Sequence, residues 1–273
     1  MALKVALIGA GKMAGALADG LVGRMLVGVA NRSPRRLDAF VAAHKGVRRF
    51  ASYREAVKGA DVVIIAVKPD GVLSVIDEIL ETLAIGKTIV SVAAGLPLDA
   101  LEAALPKSVG VVRAMPNLAS AVRAGATGLY GARTAQARKA VENVFSAVGR
   151  IYWCDSDAAI DSLTAVSGSG IAYVLVWLEA LADAAVRLGM ERARAIDLSA
   201  TTIAGAAALV HSTRRHPATL RDEVASPGGT TIAGLTAMEA AGVRGAIYAA
   251  VEAAYLRARE RSGTFRPSEG GLK

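Results

Sequence analysis

The fold is decided near the start of the chain by Lys4-Val5-Ala6-Leu7-Ile8, followed directly by Gly9-Ala10-Gly11-Lys12-Met13-Ala14. The apolar run predicts a buried strand, the glycines predict a tight turn, and the residues after them predict a helix. The two glycines allow the turn and the close approach of a pyrophosphate, and Ala14 is small enough for helix–strand packing. We therefore predict dinucleotide binding at Gly9, Ala10, Gly11, Lys12, Met13 and Ala14.

Four more apolar runs follow this first strand, at Leu26–Ala30, Asp61–Val67, Thr88–Val92 and Val109–Arg113. Near-continuous apolar strands are typical of a parallel sheet that is covered by helices on both faces. Ligands of such sheets bind beyond the carboxyl ends of the strands. The residues at these strand ends are therefore predicted cofactor contacts: Asn31, Arg32, Ser33, Ala66, Val67, Lys68, Pro69, Ala93, Ala94, Met115 and Asn117.

The end of the second strand bears on the choice of cofactor. An acidic residue at this position would bond the ribose 2′-OH of NAD, but the chain has Asn31-Arg32-Ser33-Pro34. Arg32 and Ser33 offer a charge and a hydroxyl, which suit a 2′-phosphate. The alternative is a polar loop in which Ser33 caps the next helix. The sequence favours NADPH, and NADH is the less favoured alternative.

The second half of the sequence has helical periodicity only. We predict an α/β Rossmann-type N-terminal domain with a parallel sheet at residues 1–157 and an all-α C-terminal domain at residues 158–273. A helix that begins near Asp161 is expected to be interrupted at Ser167–Gly170 and to resume to Leu188. Later helices are expected at Ala193–Ser212, from Pro217, after Thr231 and at Val243–Arg261, with a loose tail at Thr264–Lys273.

A glycine turn before one of these helices suits an anion. Ser226-Pro227-Gly228-Gly229-Thr230-Thr231 leads into the apolar run from Ile232. Backbone N–H groups at a helix start have no partner inside the helix and carry the positive end of its dipole. Glycine lets this backbone approach an anion closely, and the hydroxyl groups add hydrogen bonds. The segment is therefore predicted to bind a small carboxylate.

Composition argues against several other classes of protein. The net charge is +8, but the basic residues are scattered and aromatic residues make up only 4%, so no nucleic-acid role is expected. His44, His211 and His216 lack the spacing of metal ligands. Cys154 is the only cysteine, which fits a reducing cytoplasm. The sequence shows no signal peptide and no uninterrupted apolar run of membrane-spanning length, so no membrane partner is expected.

The order of these segments resembles the pyrroline-5-carboxylate reductase family over Val5–Arg259. The resemblance is carried by Ala66-Val67-Lys68-Pro69, Ala93-Ala94-Gly95, Arg113-Ala114-Met115-Pro116-Asn117, Thr164-Ala165-Val166-Ser167-Gly168-Ser169-Gly170 and Ser226-Pro227-Gly228-Gly229-Thr230-Thr231. It implies NADPH-dependent reduction of 1-pyrroline-5-carboxylate to L-proline, the last step of proline biosynthesis. It also implies a homodimer through the C-terminal helices, and larger rings of dimers are common in the family.

The resemblance also assigns the substrate site. It implies that Ser226, Gly228, Gly229, Thr230 and Thr231 hold the substrate carboxylate, and that Thr231 is the catalytic residue that hydrogen-bonds the ring nitrogen. Without the resemblance, Thr231 reads equally well as a helix N-cap. Asp157 aligns with a family Glu near the substrate. Asp222 lies a few residues before the glycine turn and is expected to contact the substrate or its water. The alternative interpretation is that its side chain is solvated.

Three positions depart from the family pattern. Ile171 stands where the family has a Pro after Gly170. Leu118 stands where the family usually has a Thr after Met-Pro-Asn. Tyr53 stands where an Asn often touches the adenosine ribose. Tyr53 is expected to stack on the adenosine instead.

Three alternative functions stay open. The first is a reductase of another cyclic imino acid, the second is a non-catalytic NADP-binding regulator, and the third is a 3-hydroxy acid dehydrogenase. The dehydrogenase needs a general base, typically a Lys on a C-domain helix, and the sequence has no Lys between Lys139 and Lys273. Hydride addition to a protonated imine needs neither a metal nor a covalent nucleophile.

Overall fold

The computed structural model describes residues 3–263. These residues form two compact units, one made of residues up to 169 together with those from 254 onward, and the other of residues 170–253. The predicted loose tail at Thr264–Lys273 lies outside the described residues.

The first unit contains one eight-stranded sheet. Its strands are β1 (Lys4–Ile8), β2 (Leu26–Ala30), β3 (Arg48–Arg49), β4 (Val62–Ile65), β5 (Thr88–Ser91), β6 (Gly110–Met115), β7 (Gly125–Gly131) and β8 (Gly149–Trp153), in the spatial order β3-β2-β1-β4-β5-β6-β7-β8. The strands from β3 to β6 are parallel, which confirms the predicted sheet. β7 is antiparallel to β6, and β8 is parallel to β7. β3, β7, β8 and this reversal of direction were not predicted.

Helices cover both faces of this sheet. They are α1 (Lys12–Leu21), α2 (Pro34–Ala43), α3 (Tyr53–Lys58), α4 (Val72–Ile79), α5 (Leu98–Ala103), α6 (Ala135–Ser146) and α7 (Asp157–Leu163). Residues of α1, α2 and α6 form one buried core with the sheet, and residues of α3, α4 and α5 form a second core. Because both faces of the sheet are covered, β4 is buried along its whole length, and β1 and β2 are buried from their second residue onward, as the sequence indicates.

The remaining helices are α8 (Gly170–Arg187), α9 (Arg192–Thr213), α10 (Pro217–Val224), α11 (Thr230–Ala240) and α12 (Val243–Gly263). The prediction of helices alone after the sheet is confirmed for the described residues. The α-helix is interrupted near the predicted Ser167–Gly170. α7 ends at Leu163, a π-helical turn occupies Thr164–Gly168, and α8 begins at Gly170, so the interruption is a wider helical turn and not a loop.

The second unit has almost no core of its own. Within residues 170–253, only Ala182, Ala195 and Ser199 are buried. Large apolar side chains of α8 and α9 are instead exposed, among them Val174, Leu175, Val176, Trp177, Leu181, Ile196, Leu198 and Leu209. Removing apolar surface from water stabilises by about 25 cal/mol per Å². These helices therefore need a covering surface.

The same helices pass a test of length and hydropathy for a membrane span. Asp157–Arg187 and Arg192–Thr213 contain windows with mean hydropathies of 1.5 and 1.3, and 11% of each window is buried. A search for uninterrupted apolar runs misses these two helices. Scattered charged residues break the runs, but they do not lower the mean hydropathy below the level of a membrane-spanning helix. A membrane and a partner chain are two surfaces that would cover such helices.

Candidate cofactor and substrate sites

The predicted dinucleotide turn brings three strand ends together. Gly9 has φ +115°, and a Cβ at this position would lie 2.6 Å from the Ala66 carbonyl oxygen, so only glycine fits. The Gly9 N–H donates to Ala30 O at 2.9 Å, and the Ala66 N–H donates to Ile8 O at 2.8 Å. The ends of β1, β2 and β4 therefore meet at the turn from which α1 begins.

The start of α1 leaves its backbone open to a ligand. Gly11 is the N-cap in an extended conformation, with φ −98° and ψ 179°, and no side chain caps the helix. A Cβ at Gly11 would have its nearest neighbour, Ala66 O, at 4.0 Å. The first N–H groups of α1 are therefore available to a pyrophosphate.

The other predicted cofactor residues follow the carboxyl ends of neighbouring strands of one sheet. They lie after β2, β4, β5 and at the end of β6, as the sequence predicts: Asn31, Arg32, Ser33, Ala66, Val67, Lys68, Pro69, Ala93, Ala94, Met115 and Asn117. Lys68 is exposed, and Pro69 begins a 3₁₀ turn. The structure thus places these residues along one edge of the first unit.

A group of arginines lies where β2 passes into α2. Ser33 caps α2 by accepting a hydrogen bond from the Arg36 N–H at 3.4 Å, and Asn31 Nδ2 donates to Ser33 O at 3.1 Å. Arg32, Arg35 and Arg36 are exposed, and none of them forms an ion pair with another described residue. Sequence reasoning missed Arg35 and Arg36, although the run Pro34-Arg35-Arg36 was a visible signal. Ser33 can cap the helix and still present its hydroxyl proton to a ligand.

The expectation for Tyr53 is wrong. Tyr53 is the first residue of α3 and only 6% exposed, and it packs in the second core with Ala56 and Val57. A ring held in this core cannot stack on an adenosine at the surface. The large ring is accommodated by burial instead.

A buried ion-pair cluster lies beneath the end of β6. Arg113 is fully buried, and its guanidinium donates to Asp157 Oδ1 at 2.5 Å and to Asp161 Oδ1 at 2.8 Å. The Leu98 N–H donates to the Asp157 carboxylate at 3.2 Å, and Ser262 Oγ donates to Asp161 at 3.1 Å. The Asp157 carboxylate, which is predicted to bind substrate, thus has partners inside this unit. Sequence reasoning missed Asp161 and Ser262, which no local pattern marks.

Asn117 makes a second set of polar contacts just beyond β6. Its Nδ2 donates to Ser167 O at 3.3 Å and to Ser167 Oγ at 3.2 Å, and its Oδ1 accepts from the Ala126 N–H at 3.3 Å. The side chain is 5% exposed. Asn117 therefore ties the end of β6 to β7 and to the π-helical turn.

The predicted carboxylate site lies in the second unit. Gly228 has φ +70°, a left-handed conformation that favours glycine, and the Gly229 N–H donates to Ser226 O at 3.0 Å. Gly229 is the N-cap of α11, extended at φ −81° and ψ 173°, with no side-chain cap. The alternative reading of Thr231 as the N-cap is wrong, because Thr230 and Thr231 are the first two residues inside the helix.

The acidic side chain of Asp222 and the thiol of Cys154 lie outside the two glycine turns. Asp222 lies on α10, is exposed, and accepts from the Arg221 guanidinium at 2.7 Å. Burial raises the pKa of the Cys154 thiol above its ordinary value, and the charge of Asp155 acts in the same direction, so the reactive thiolate is disfavoured. Among residues 3–263, no cluster of three His, Cys, Asp or Glu side chains has the geometry to hold a metal ion.

A parallel sheet with a glycine turn at its carboxyl edge, followed by a helical region with a second glycine-capped helix, defines a Rossmann-type nucleotide-dependent oxidoreductase. Residues 4–95 match the family model of NADP oxidoreductase coenzyme F420-dependent proteins, and residues 157–261 match the model of pyrroline-5-carboxylate reductase dimerisation. The chain belongs to the pyrroline-5-carboxylate reductase family.

Individual relatives support this membership over the full length. The chain is 40% identical over 268 residues to a pyrroline-5-carboxylate reductase of Arabidopsis thaliana, covering 95% of each chain. It is similar to the solved pyrroline-5-carboxylate reductase of Coxiella burnetii, with 36% identity, TM-score 0.84 and coverage of 96% and 99%. It is also similar to the Plasmodium falciparum pyrroline carboxylate reductase solved with NADP bound, with 28% identity, TM-score 0.82 and coverage of 95% and 98%. The predicted family, fold class and enzyme class are confirmed.

Proposed function

We propose that the chain reduces 1-pyrroline-5-carboxylate to L-proline with NADPH. The observation that carries this proposal is the full-length similarity to curated pyrroline-5-carboxylate reductases at 38–40% identity. When bound, NADPH would supply the hydride that adds to the carbon of the protonated cyclic C=N bond, and it would be oxidised to NADP⁺. The ring nitrogen would keep its proton and end as an amine.

The cofactor half of the proposal is supported by the edge of the sheet in the first unit. The open start of α1 suits the pyrophosphate, and the group Arg32, Ser33, Arg35 and Arg36 suits the 2′-phosphate that distinguishes NADPH from NADH. Three exposed guanidinium groups, none of them paired with an acidic side chain within residues 3–263, favour a dianionic group over a ribose hydroxyl. The relative solved with NADP bound agrees with this choice.

The substrate half is supported by the start of α11. A carboxylate there accepts hydrogen bonds from the first-turn N–H groups, helped by the hydroxyls of Ser226, Thr230 and Thr231. We assign Thr231 as the catalytic residue, because its hydroxyl can hydrogen-bond the ring nitrogen as the charge on that atom changes. Gly228 and Gly229 have no side chains, so the backbone there can approach the substrate carboxylate closely. Asp222 and Asp157 are assigned to the neighbourhood of the substrate.

Positioning is the main contribution required of such an enzyme. A protonated imine is already electrophilic, so the protein must hold its carbon against the nicotinamide and exclude water. Holding two reactants in a productive geometry is worth about 7–11 kcal/mol of the barrier. Two helix starts, one for the pyrophosphate and one for the carboxylate, are suited to this task.

A homodimer formed through the C-terminal helices is part of the proposal, and rings of dimers are a further step. The match of residues 157–261 to a dimerisation model supports the homodimer, and the exposed apolar faces of α8 and α9 supply the surface. A partner chain would cover these faces in place of a membrane. We further propose a cytoplasmic location, in keeping with the single Cys154, and a functional boundary between a cofactor domain at 1–157 and a substrate and dimerisation domain at 158–273.

The test is NADPH oxidation with racemic 1-pyrroline-5-carboxylate, in parallel with its six-membered homologue. Turnover of the five-membered ring that is lost in Thr231→Ala is the expected result. Turnover of the homologue alone would keep the chemistry and change the substrate. Tight NADPH binding without reduction of either imine would contradict an enzyme and favour an NADP-binding regulator.

A further inference from the structure

The last turn of α12 packs against the segment that follows β5, and the proposed function does not use this contact. The residues of α12 from 254 onward belong to the first unit. Gly95 is buried and has φ +81°, and a Cβ there would lie 2.9 Å from Arg261 Cβ and 3.2 Å from the Arg261 carbonyl oxygen. Only glycine fits at this position, because both its backbone conformation and the close approach of α12 exclude a side chain.

Ser262 fixes the same turn of α12 from its other side. Its Oγ donates to Asp161 Oδ1 at 3.1 Å, and the same oxygen accepts from the Arg113 guanidinium at 2.8 Å. Asp161 is only 4% exposed, so its charge depends on donors inside the protein. Ser262 is therefore a donor to a buried carboxylate and also the neighbour of the residue that contacts Gly95.

The far end of the segment after β5 is held by the same group of charges. The Leu98 N–H donates to the Asp157 carboxylate at 3.2 Å, and Asp157 Oδ1 accepts from the Arg113 guanidinium at 2.5 Å. Residues 95–98 thus contact α12 at one end and Asp157 at the other. The contacts form a closed circuit through Gly95, Leu98, Asp157, Arg113, Asp161 and Ser262.

Local stability alone does not explain this arrangement. The C-terminal end of a helix carries a partial negative charge, which disfavours a buried carboxylate beside it. Asp161 lies beside the end of α12, and the Arg113 guanidinium and the Ser262 hydroxyl offset this repulsion. Proteins break such local rules mainly at functional sites, so the circuit is better explained by the segment that it positions.

The segment in question belongs to the cofactor edge. Ala93 and Ala94, two of the predicted cofactor contacts, directly precede Gly95. With the 2′-phosphate at β2 and the pyrophosphate at β1, the nicotinamide half would extend past β4 to β5. Resting on the proposed function, we propose that Ser262 is a positioning residue for hydride transfer. Through Asp161 it holds the last turn of α12 against Gly95, and this turn sets the position of Ala93 and Ala94 beside the nicotinamide half of NADPH.

The experiment compares Ser262→Ala and Ser262→Thr with the matched control Ser146→Ala, an exposed serine at the end of α6. We expect kcat to fall about 10-fold in Ser262→Ala, because small misplacements of reacting groups have effects of up to about 100-fold. Ser262→Thr keeps the hydroxyl and should recover most of kcat. The NADPH Kd should stay within about threefold, since the phosphate contacts at β1 and β2 are unchanged, and the control should keep wild-type values.

The isotope effect on kcat separates positioning from a general loss of folded protein. With NADPH deuterated at the transferred hydrogen, this effect should increase in Ser262→Ala, because hydride transfer limits turnover more strongly. A smaller folded fraction would lower kcat and leave the isotope effect unchanged. An unchanged isotope effect, or a failure of Ser262→Thr to recover kcat, would overturn the inference.

A substitution at Gly95 tests the contact with α12 itself. Gly95→Ala should lower kcat about as much as Ser262→Ala, and the double variant should fall little further, as for residues in one network. Wild-type kinetics in Gly95→Ala would overturn the inference. The Ser262 variants carry the test if Gly95→Ala fails to fold.

Hydrogen exchange gives a readout that is independent of activity. Exchange of residues 93–101 should be faster in Ser262→Ala than in the wild type and in Ser146→Ala, and NADPH should slow it in the wild type. Equal exchange in Ser262→Ala and the wild type would contradict the positioning role. If the wild-type protein reduces neither imine, the proposed function fails, and the exchange experiment still decides whether Ser262 holds the segment after β5.

Discussion

The starts of α1 and α11 have nearly the same geometry but lie in very different surroundings. Both helices have an extended glycine N-cap, Gly11 and Gly229, and neither has a side-chain cap. By contrast, α2, α3, α6 and α7 are capped by a Ser or Thr side chain. The two starts with an extended glycine are the ones that we assign to anions. However, α1 packs into a complete core, whereas the unit that contains α11 buries three residues.

The comparison of α1 with α11 indicates that the residues that support an anion site can lie on a different chain from the site itself. The α1 site is supported by the sheet and by residues such as Leu17 and Leu21, which are fully buried. The α11 helix has no buried residue at all. Its orientation therefore depends on a covering surface, for which we propose a second copy of the chain.

The largest expected effect tests this dependence. Leu175 on α8 and Leu26 on β2 are almost equally exposed, at 56% and 58%. Leu175→Asp should abolish dimerisation and turnover while NADPH binding persists, because the first unit has its own cores. Sedimentation, turnover and NADPH binding are the measurements. Leu26→Asp is the control and should remain dimeric, and equal behaviour of the two variants would contradict the comparison.

The next effect concerns the stability of the two units. Arg113→Met leaves Asp161 buried without its cation and should lower the free energy of unfolding by about 3–5 kcal/mol. The exposed pair of Arg244 and Glu239 in the second unit should matter little, so Arg244→Met should leave the free energy of unfolding nearly unchanged. Denaturant unfolding of both variants measures this contrast. Similar losses in the two variants would show that the buried cluster does not stabilise the first unit.

A third prediction separates the roles of the two helix starts. Gly11→Val fills the space for the pyrophosphate and should raise the NADPH Kd about 10-fold or more, the size of one lost charge-assisted hydrogen bond. Thr231→Ala should lower kcat and leave the NADPH Kd unchanged. Kinetics and cofactor binding on each variant give a crossed pattern. Parallel losses of both quantities in both variants would contradict the assignment.

The smallest expected effect is on the choice of cofactor. Arg32→Asp places a negative charge beside the 2′-phosphate and should reduce the ratio of kcat/KM with NADPH to that with NADH about tenfold or more. The exposed Arg24, which follows α1, provides the control Arg24→Asp. If Arg32→Asp lowers kcat/KM with NADPH and kcat/KM with NADH equally, the arginine group does not bind the 2′-phosphate.

Local patterns in the sequence predict much of the fold. Continuous apolar runs indicate β1, β2, β4, β5 and β6, and the glycine turn indicates the edge where the cofactor binds. β7 was missed because it reads Gly125-Ala126-Thr127-Gly128-Leu129-Tyr130-Gly131, where three glycines obscure the strand pattern. The π-helical turn was read as a break because Ser and Gly residues usually end helices.

The site was predictable where backbone geometry defines it and less so where distant side chains meet. Gly9, Gly11 and Gly229 were found because a tight turn that leads into a helix needs glycine where the backbone approaches a ligand. The contacts of the Arg113 cluster join residues between 44 and 101 positions apart along the chain, and no short pattern can pair them. The commitment of Asn117 to Ser167 is hidden for the same reason. Tyr53 was misplaced since its burial depends on packing between elements.

The nearly coreless helical unit has a consequence for populations of subunits. If two copies must complete one another, the yield of working enzyme rises with the square of the chain concentration when chains are scarce. A variant that pairs normally but has lost its own catalytic hydroxyl would form mixed pairs with intact chains. Each mixed pair keeps the intact chain's hydroxyl, so activity would fall in proportion to the share of variant chains and no further.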